Sequence, residues 1–198
     1  MNAPSVEGGL RARTRRAIID AAVDVLARNP AASLSDIAAA AEVGRSTLHR
    51  YFPERTELVR SLALHVHALG NAAIAQAEPD SGPPIAALRR VVESQLELGP
   101  IVLYMYTEPV VSADSLLRAR LETGDEVIAD LLQNVAKAPG VPPPGWSRRV
   151  FWSLLHAGYQ AAQEDRTPKR RIIDAIMATL TEGAIRADAS GDPLHVKN

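Results

Sequence analysis

Apolar residues along this chain recur at helical spacing and are punctuated by a few strong breakers. Ile18 or Ile19, Ala22 and Leu26 share one face, and Asn29-Pro30 ends the helix they define. Thr14 is placed to cap that helix, which leaves residues 1–13 as a mobile arm without an apolar period. Ser33 or Ser35 caps a second helix with Ile37, Ala38 and Ala41 inward, and Gly44 marks the turn into residues 45–52. Pro53 suits a first helical position, and Glu54 and Glu57 suit a first turn. A long helix then reaches about Gln76 through Leu58, Leu62, Val66 and Leu69.

EPDSGPP at 78–84 breaks the pattern, which resumes over about 85–98 and 101–107 with Gly99-Pro100 between and Pro109 closing. Residues 113–137 predict one long amphipathic helix through Leu117, Leu121, Ile128 and Leu132. PGVPPPG at 139–145 is the second breaker, and two last helices over 147–164 and 168–186 precede a frayed tail at 188–198. The pattern contains neither strand nor repeat, so the expectation is an all-α fold of about nine helices.

Composition narrows the classes. With 46% hydrophobic residues the 198-residue chain can bury a real core. There is no Cys, which excludes disulfides and thiolate metal sites. The N-terminus lacks an apolar h-region, and no apolar run is long enough for a membrane span, so the expected location is the cytoplasm. Net charge is only -1, but residues 1–60 hold nine Arg, no Lys and seven Asp or Glu. Arg11, Arg13, Arg15 and Arg16 cluster at that basic end, as in a small nucleic-acid reader attached to a near-neutral body.

The chemistry concentrates between Ser33 and Leu58, SLSDIAAAAEVGRSTLHRYFPERTEL. A short helix, a tight turn and a second short helix form a helix-turn-helix, in which Ile37, Ala38, Val43, Leu48 and Phe52 are the expected core. Arg45, Ser46 and Thr47 open the second helix, where side chains reach base edges; Arg can hold guanine through two bonds and Thr can meet the thymine methyl. His49, Arg50 and Tyr51 follow one turn later, within reach of phosphates, and Arg55 adds a charge near the next helix start. A plain helical hairpin would have no use for so many polar groups on consecutive positions beside a basic arm.

DIAAAAEVGRSTLHRYFPERTEL, with TRRAIIDAAVDVLA before it, resembles the DNA-binding domain of TetR-type transcriptional repressors over roughly residues 14–62. Four positions depart from that pattern: Glu42 and Gly44 flank the turn Val where Gly and Ser are usual, His49 stands for a Tyr, and Arg55 stands for a Lys. The resemblance implies a three-helix DNA-binding domain over 14–58, with Thr14 also at the DNA, and a ligand-binding and dimerisation domain over 59–187.

The resemblance further implies that the last two helices pair with those of a second copy in a four-helix bundle. Phe151, Leu154, Leu155 and Gly158 mark one apolar face; Ile172, Ile176 and Leu180 mark the other; Gly158, Ala161 and Ala162 allow close approach. It also implies a pocket among the central helices, with Leu62, His65, Leu69, Leu103, Tyr104, Met105, Tyr106, Leu117, Leu121, Trp152 and His156 as candidates, each equally readable as core.

The implied partners are palindromic double-stranded DNA, a second copy of the chain and a small apolar or aromatic effector. No cofactor is expected: His65 and His67 are two apart and point to different sides of a helix, a poor metal pair. There is no Gly-x-Ser-x-Gly, His-Glu-x-x-His, P-loop or Gly-rich dinucleotide turn, so no enzyme is expected. The alternative is an α-helical interaction module whose hairpin binds protein, and steep salt dependence of DNA binding separates the two.

Overall fold

A computed structural model describes residues 6–124, 126–135 and 145–182, without the side chains of residues 6–8, 103 and 106. Among the described residues it is all-helical: α1 (Val6–Arg28), α2 (Leu34–Ala40), α3 (Arg45–Tyr51), α4 (Arg55–Gln76), α5 (Pro84–Glu97), α6 (Ile101–Thr107), α7 (Pro109–Ala113), α8 (Ser115–Leu121), α9 (Glu126–Val135), α10 (Trp146–Glu164) and α11 (Lys169–Glu182). The tail at 188–198 and most of the 139–145 breaker lie outside the described residues. No described helix is long and apolar enough to cross a membrane.

Four boundaries differ from the sequence expectation. α1 starts at Val6 rather than at Thr14, so Thr14 is an interior residue whose hydroxyl donates to Leu10 O at 3.1 Å instead of capping. Its Arg-rich first turns lack an apolar stripe, which is why the pattern misses them. Pro53 stays outside α4, which opens after an extended Glu54. The described part of the segment at 113–137 is two helices, α8 and α9, not one. Pro109 opens α7; Asp114 then caps α8 by accepting from Leu117 N–H at 3.0 Å; and Gly124, with φ of 87°, turns the chain into α9. A Cβ at Gly124 would collide with the Asn71 side-chain amide, so the turn sits directly on α4.

α1, α2 and α3 pack Ile18, Ala22, Leu26, Ile37, Leu48 and Phe52 into one small core, all nearly inaccessible. Ser33 joins α2 to its loop through a capping box: its hydroxyl accepts from Asp36 N–H at 3.2 Å and its own N–H donates to Asp36 Oδ2 at 2.8 Å. That backbone N–H, and then the Ser33 hydroxyl, hold the Asp36 carboxyl below its ordinary range. Arg15 fastens α1 to α4, with its guanidinium 5.0 Å over the Phe52 ring and 2.6 Å from Ser61 Oγ.

The larger body is built on α4 and α5. Leu62 and Val66 of α4 and Leu88, Val91 and Val92 of α5 are buried with Ile128 of α9 and Phe151 and Leu155 of α10. Each such side chain stabilises by about 1.5–3 kcal/mol on burial. Arg90 closes the turn after α4 by donating to the carbonyls of Ala77, Glu78 and Ser81 at 2.6–2.8 Å. α4 is a single 22-residue helix that runs through the expected domain boundary at 58/59.

Candidate DNA-reading face and ligand cavity

α3 turns Leu48 inward and Arg45, Ser46, His49 and Arg50 to solvent, with Thr47 and Tyr51 half-buried. The outward set is the one a seven-residue helix presents when its every-third-or-fourth apolar position is anchored. No side-chain hydrogen bond caps α3 at Gly44 among the described residues, so backbone alone holds that start. The Arg50 guanidinium lies 5.7 Å over the Tyr51 ring, which steadies both at the outer end of the helix.

The turn before α3 carries strain. Glu42 has φ of 54°, in the left-handed region, where a β-carbon costs about 1–2 kcal/mol. A Gly there relieves this and returns about 0.5–1 kcal/mol in unfolded-chain entropy. Glu42→Gly is therefore expected to raise the melting temperature by about 1–3 °C. Calorimetry on the two proteins checks it, and an unchanged or lower midpoint refutes it.

Two residues expected at the DNA are engaged elsewhere. Thr14 spends its hydroxyl on its own helix. Arg55 is half-buried and faces the protein: it donates to Ala32 O at 2.8 Å, to Pro30 O at 3.4 Å and to the Tyr104 hydroxyl at 3.3 Å. In the free chain the carbonyls of the α1–α2 loop hold the guanidinium. Tyr104 also hydrogen-bonds the Glu108 carboxylate, and its hydroxyl is pushed up to about 12, chiefly by burial and then by Glu108, with Arg55 opposing. Arg55 thus ties the reading head to α6.

On the other side of α4 lies a cavity of about 540 Å³, within the range of small-molecule sites. Its apolar wall comes from Ala63, Val66, Val102, Met105, Val111, Leu121 and Trp152, and its polar groups from His67, Asn71, Gln95, Ser112, Arg118, Glu122, Arg148, Arg149 and Ser153. Asn71 Nδ2 sits 3.2 Å from His67 Nε2, and Arg148 donates to Leu121 O at 3.0 Å. Trp152 packs edge-on against Phe151, with ring centroids 5.3 Å apart.

Of the pocket residues expected from sequence, Met105, Leu121 and Trp152 line the cavity, and Leu62, His65, Leu69, Tyr104, Leu117 and His156 do not. Leu62 and Leu117 are core. His65 points back to α1, with Nε2 3.3 Å from Asp20 Oδ1. Tyr104 is taken by Arg55. The side chains of Leu103 and Tyr106 lie outside the described set. Sequence reasoning missed the polar lining because a polar position facing a cavity has the same helical spacing as one facing water.

The expected dimer residues also divide. Phe151, Leu155, Gly158, Ile172 and Ile176 are buried within the single chain, so they are core rather than contact surface. A Cβ at Gly158 would come within 2.7 Å of Ile172 Cγ2, which shows how tightly α10 and α11 meet. Leu154 and Leu180 are half-buried and Ala162 is exposed.

A short helix-turn-helix with a polar outer face, mounted by one long helix on a helical body with a small-molecule-sized cavity, defines a DNA-binding regulator. The comparisons agree. The family of bacterial regulatory proteins called tetR matches residues 18–62. The HTH-type transcriptional repressor LfrR of Mycolicibacterium smegmatis is 60% identical over 185 residues, spanning 93% of this chain and 97% of LfrR. The crystal structure of LfrR from Mycobacterium smegmatis in complex with proflavine superposes with a TM-score of 0.79, at 60% identity, over 88% of this chain and 98% of that one. A second LfrR crystal structure gives 0.66 at 56% identity, over 86% and 99%. The chain belongs to the TetR family of transcriptional regulators. Such proteins bind operator DNA as dimers, respond to small molecules and are not enzymes.

Proposed function

We propose that this protein is a repressor that a small apolar or aromatic molecule releases from DNA. Two protomers occupy a palindromic operator through α3 of each, with Arg45, Ser46 and Thr47 at base edges and His49, Arg50 and Tyr51 at phosphates. Residues up to about 58 read DNA, and the body beyond holds the effector and the partner subunit. The stripe of α10 at half-buried Val150, Leu154 and Ala161 and exposed Ala157, with exposed Ala175 and Ala178 of α11, supplies the contact between protomers. The proflavine complex of LfrR, a chain 60% identical to this one, supports the aromatic class of effector.

The observation that carries the reading is the connection between head and cavity. Val102 and Met105 of α6 line the cavity, while Tyr104 between them accepts from Arg55, which holds the Pro30–Ala32 loop. A molecule that displaces α6 displaces the anchor of the reading head. Selection from random duplexes should recover a palindrome with half-sites about one helical turn apart, and proflavine should release the selected duplex in a mobility-shift assay. Recovery of no motif, or of one that proflavine leaves bound, refutes the reading.

Tyr104→Phe removes one acceptor from Arg55 without opening the cavity. It is expected to keep operator and dye binding but to raise the dye concentration for half-release about 3–10-fold, the effect of one lost hydrogen bond in the coupling. An unchanged release curve would place the connection elsewhere.

A further inference from the structure

We infer that Gln95 is the residue by which this cavity selects ligands carrying an exocyclic amino N–H donor, which resolves the effector class, on the pocket reading above, to amino-substituted aromatics. Gln95 is a fully buried polar side chain on α5 and lines the cavity. Its Nε2 donates to Gly70 O at 3.1 Å. That bond assigns the amide orientation, because the reversed amide would set two oxygens against each other. Its Oε1 has no hydrogen-bond partner among the described residues. A buried acceptor left unmatched is destabilising, and a donor that reaches it recovers that loss as affinity.

The surroundings hold this acceptor in place. The Tyr159 hydroxyl donates to Gln95 O at 2.5 Å, fixing the backbone from the α10 side. Burial raises the Tyr159 hydroxyl far above its ordinary range, so it stays a donor. Gly70, which also lines the cavity, leaves bare the space where a Cβ would stand 3.5 Å from Oε1. The ring of Trp152 and the side chain of Met105 supply the flat apolar surface for an aromatic body. An unsubstituted hydrocarbon would fill the cavity and leave Oε1 unmatched; an aromatic amine meets both demands.

The test uses two cationic dyes with the same tricyclic ring: proflavine, whose exocyclic nitrogens carry hydrogens, and acridine orange, whose exocyclic nitrogens carry methyl groups. Fluorescence titration of the full chain compares wild type with Gln95→Leu and Gln95→Met, two apolar replacements of similar volume. Proflavine affinity is expected to fall about tenfold in both variants, with acridine orange changed less than about twofold. Equal weakening of both dyes makes Gln95 a packing residue and overturns the inference, as does unchanged proflavine binding. Failure of wild type to bind either dye overturns the pocket reading and the inference with it.

Discussion

Leu155→Glu is expected to leave no folded protein, while Leu154→Glu, one residue earlier, is expected to leave a folded monomer that no longer holds operator. The two residues sit on different faces of α10. Leu155 is 1% exposed and packs in the core where Gly158 brings Ile172 against the helix. An unpaired carboxylate there costs several kcal/mol, comparable with the whole stability of about 5–15 kcal/mol. Leu154 keeps solvent contact in the single chain, so a charge is harmless until a second subunit covers it. Circular dichroism on heating separates folded from unfolded, and light scattering separates dimer from monomer. A folded dimer in Leu155→Glu would refute the burial argument, and a dimer in Leu154→Glu would put the subunit contact on another surface.

Arg45→Ala is expected to weaken operator binding by about 10–100-fold and to relax preference at one base pair in each half-site. Arg45 is exposed at the first turn of α3, where a guanidinium reaches two acceptors on one guanine. Such a contact discriminates by about 1–3 kcal/mol. Arg50→Ala, one turn further along, should instead lower affinity evenly over all sequences and reduce the salt slope by about one. Competition with single-base operator variants at two salt concentrations reads both. If Arg50→Ala altered preference at one position and Arg45→Ala did not, the two roles would be exchanged.

The reading head was legible because its chemistry is local. The sequence narrows the cap of α2 to Ser33 or Ser35, of which the structure uses Ser33, and Leu48 with Phe52 leaves no ambiguity about which face of α3 is inward. Helices that pack on the body were legible for the same reason of spacing. What spacing does not encode is which polar residues meet across sequence. Arg55 looked like a phosphate ligand because the carbonyls that capture it belong to Pro30 and Ala32, and its third partner is Tyr104. Gln95 looked like any polar position on an amphipathic helix. Leu155 and Leu154 looked alike because both belong to an apolar run, and only the position of α11 sorts inside from outside. The break after Leu121 was hidden by an apolar stripe that resumes in phase across it.

On the proposed function, α4 is the lever between effector and DNA. It is continuous from Arg55, at the head, to the cavity-lining Ala63, Val66 and Gly70. From Gly70 to Arg55 the helix is about 22 Å long at 1.5 Å per residue. A tilt of about 10° at the cavity end moves the head by about 4 Å, more than the rise of about 3.4 Å between base pairs. Two protomers tilting in opposite senses double that. A side chain's width of movement beside a bound molecule is thus enough to put the two reading helices out of step with the spacing of a palindrome, without unfolding anything and without touching a residue that contacts DNA.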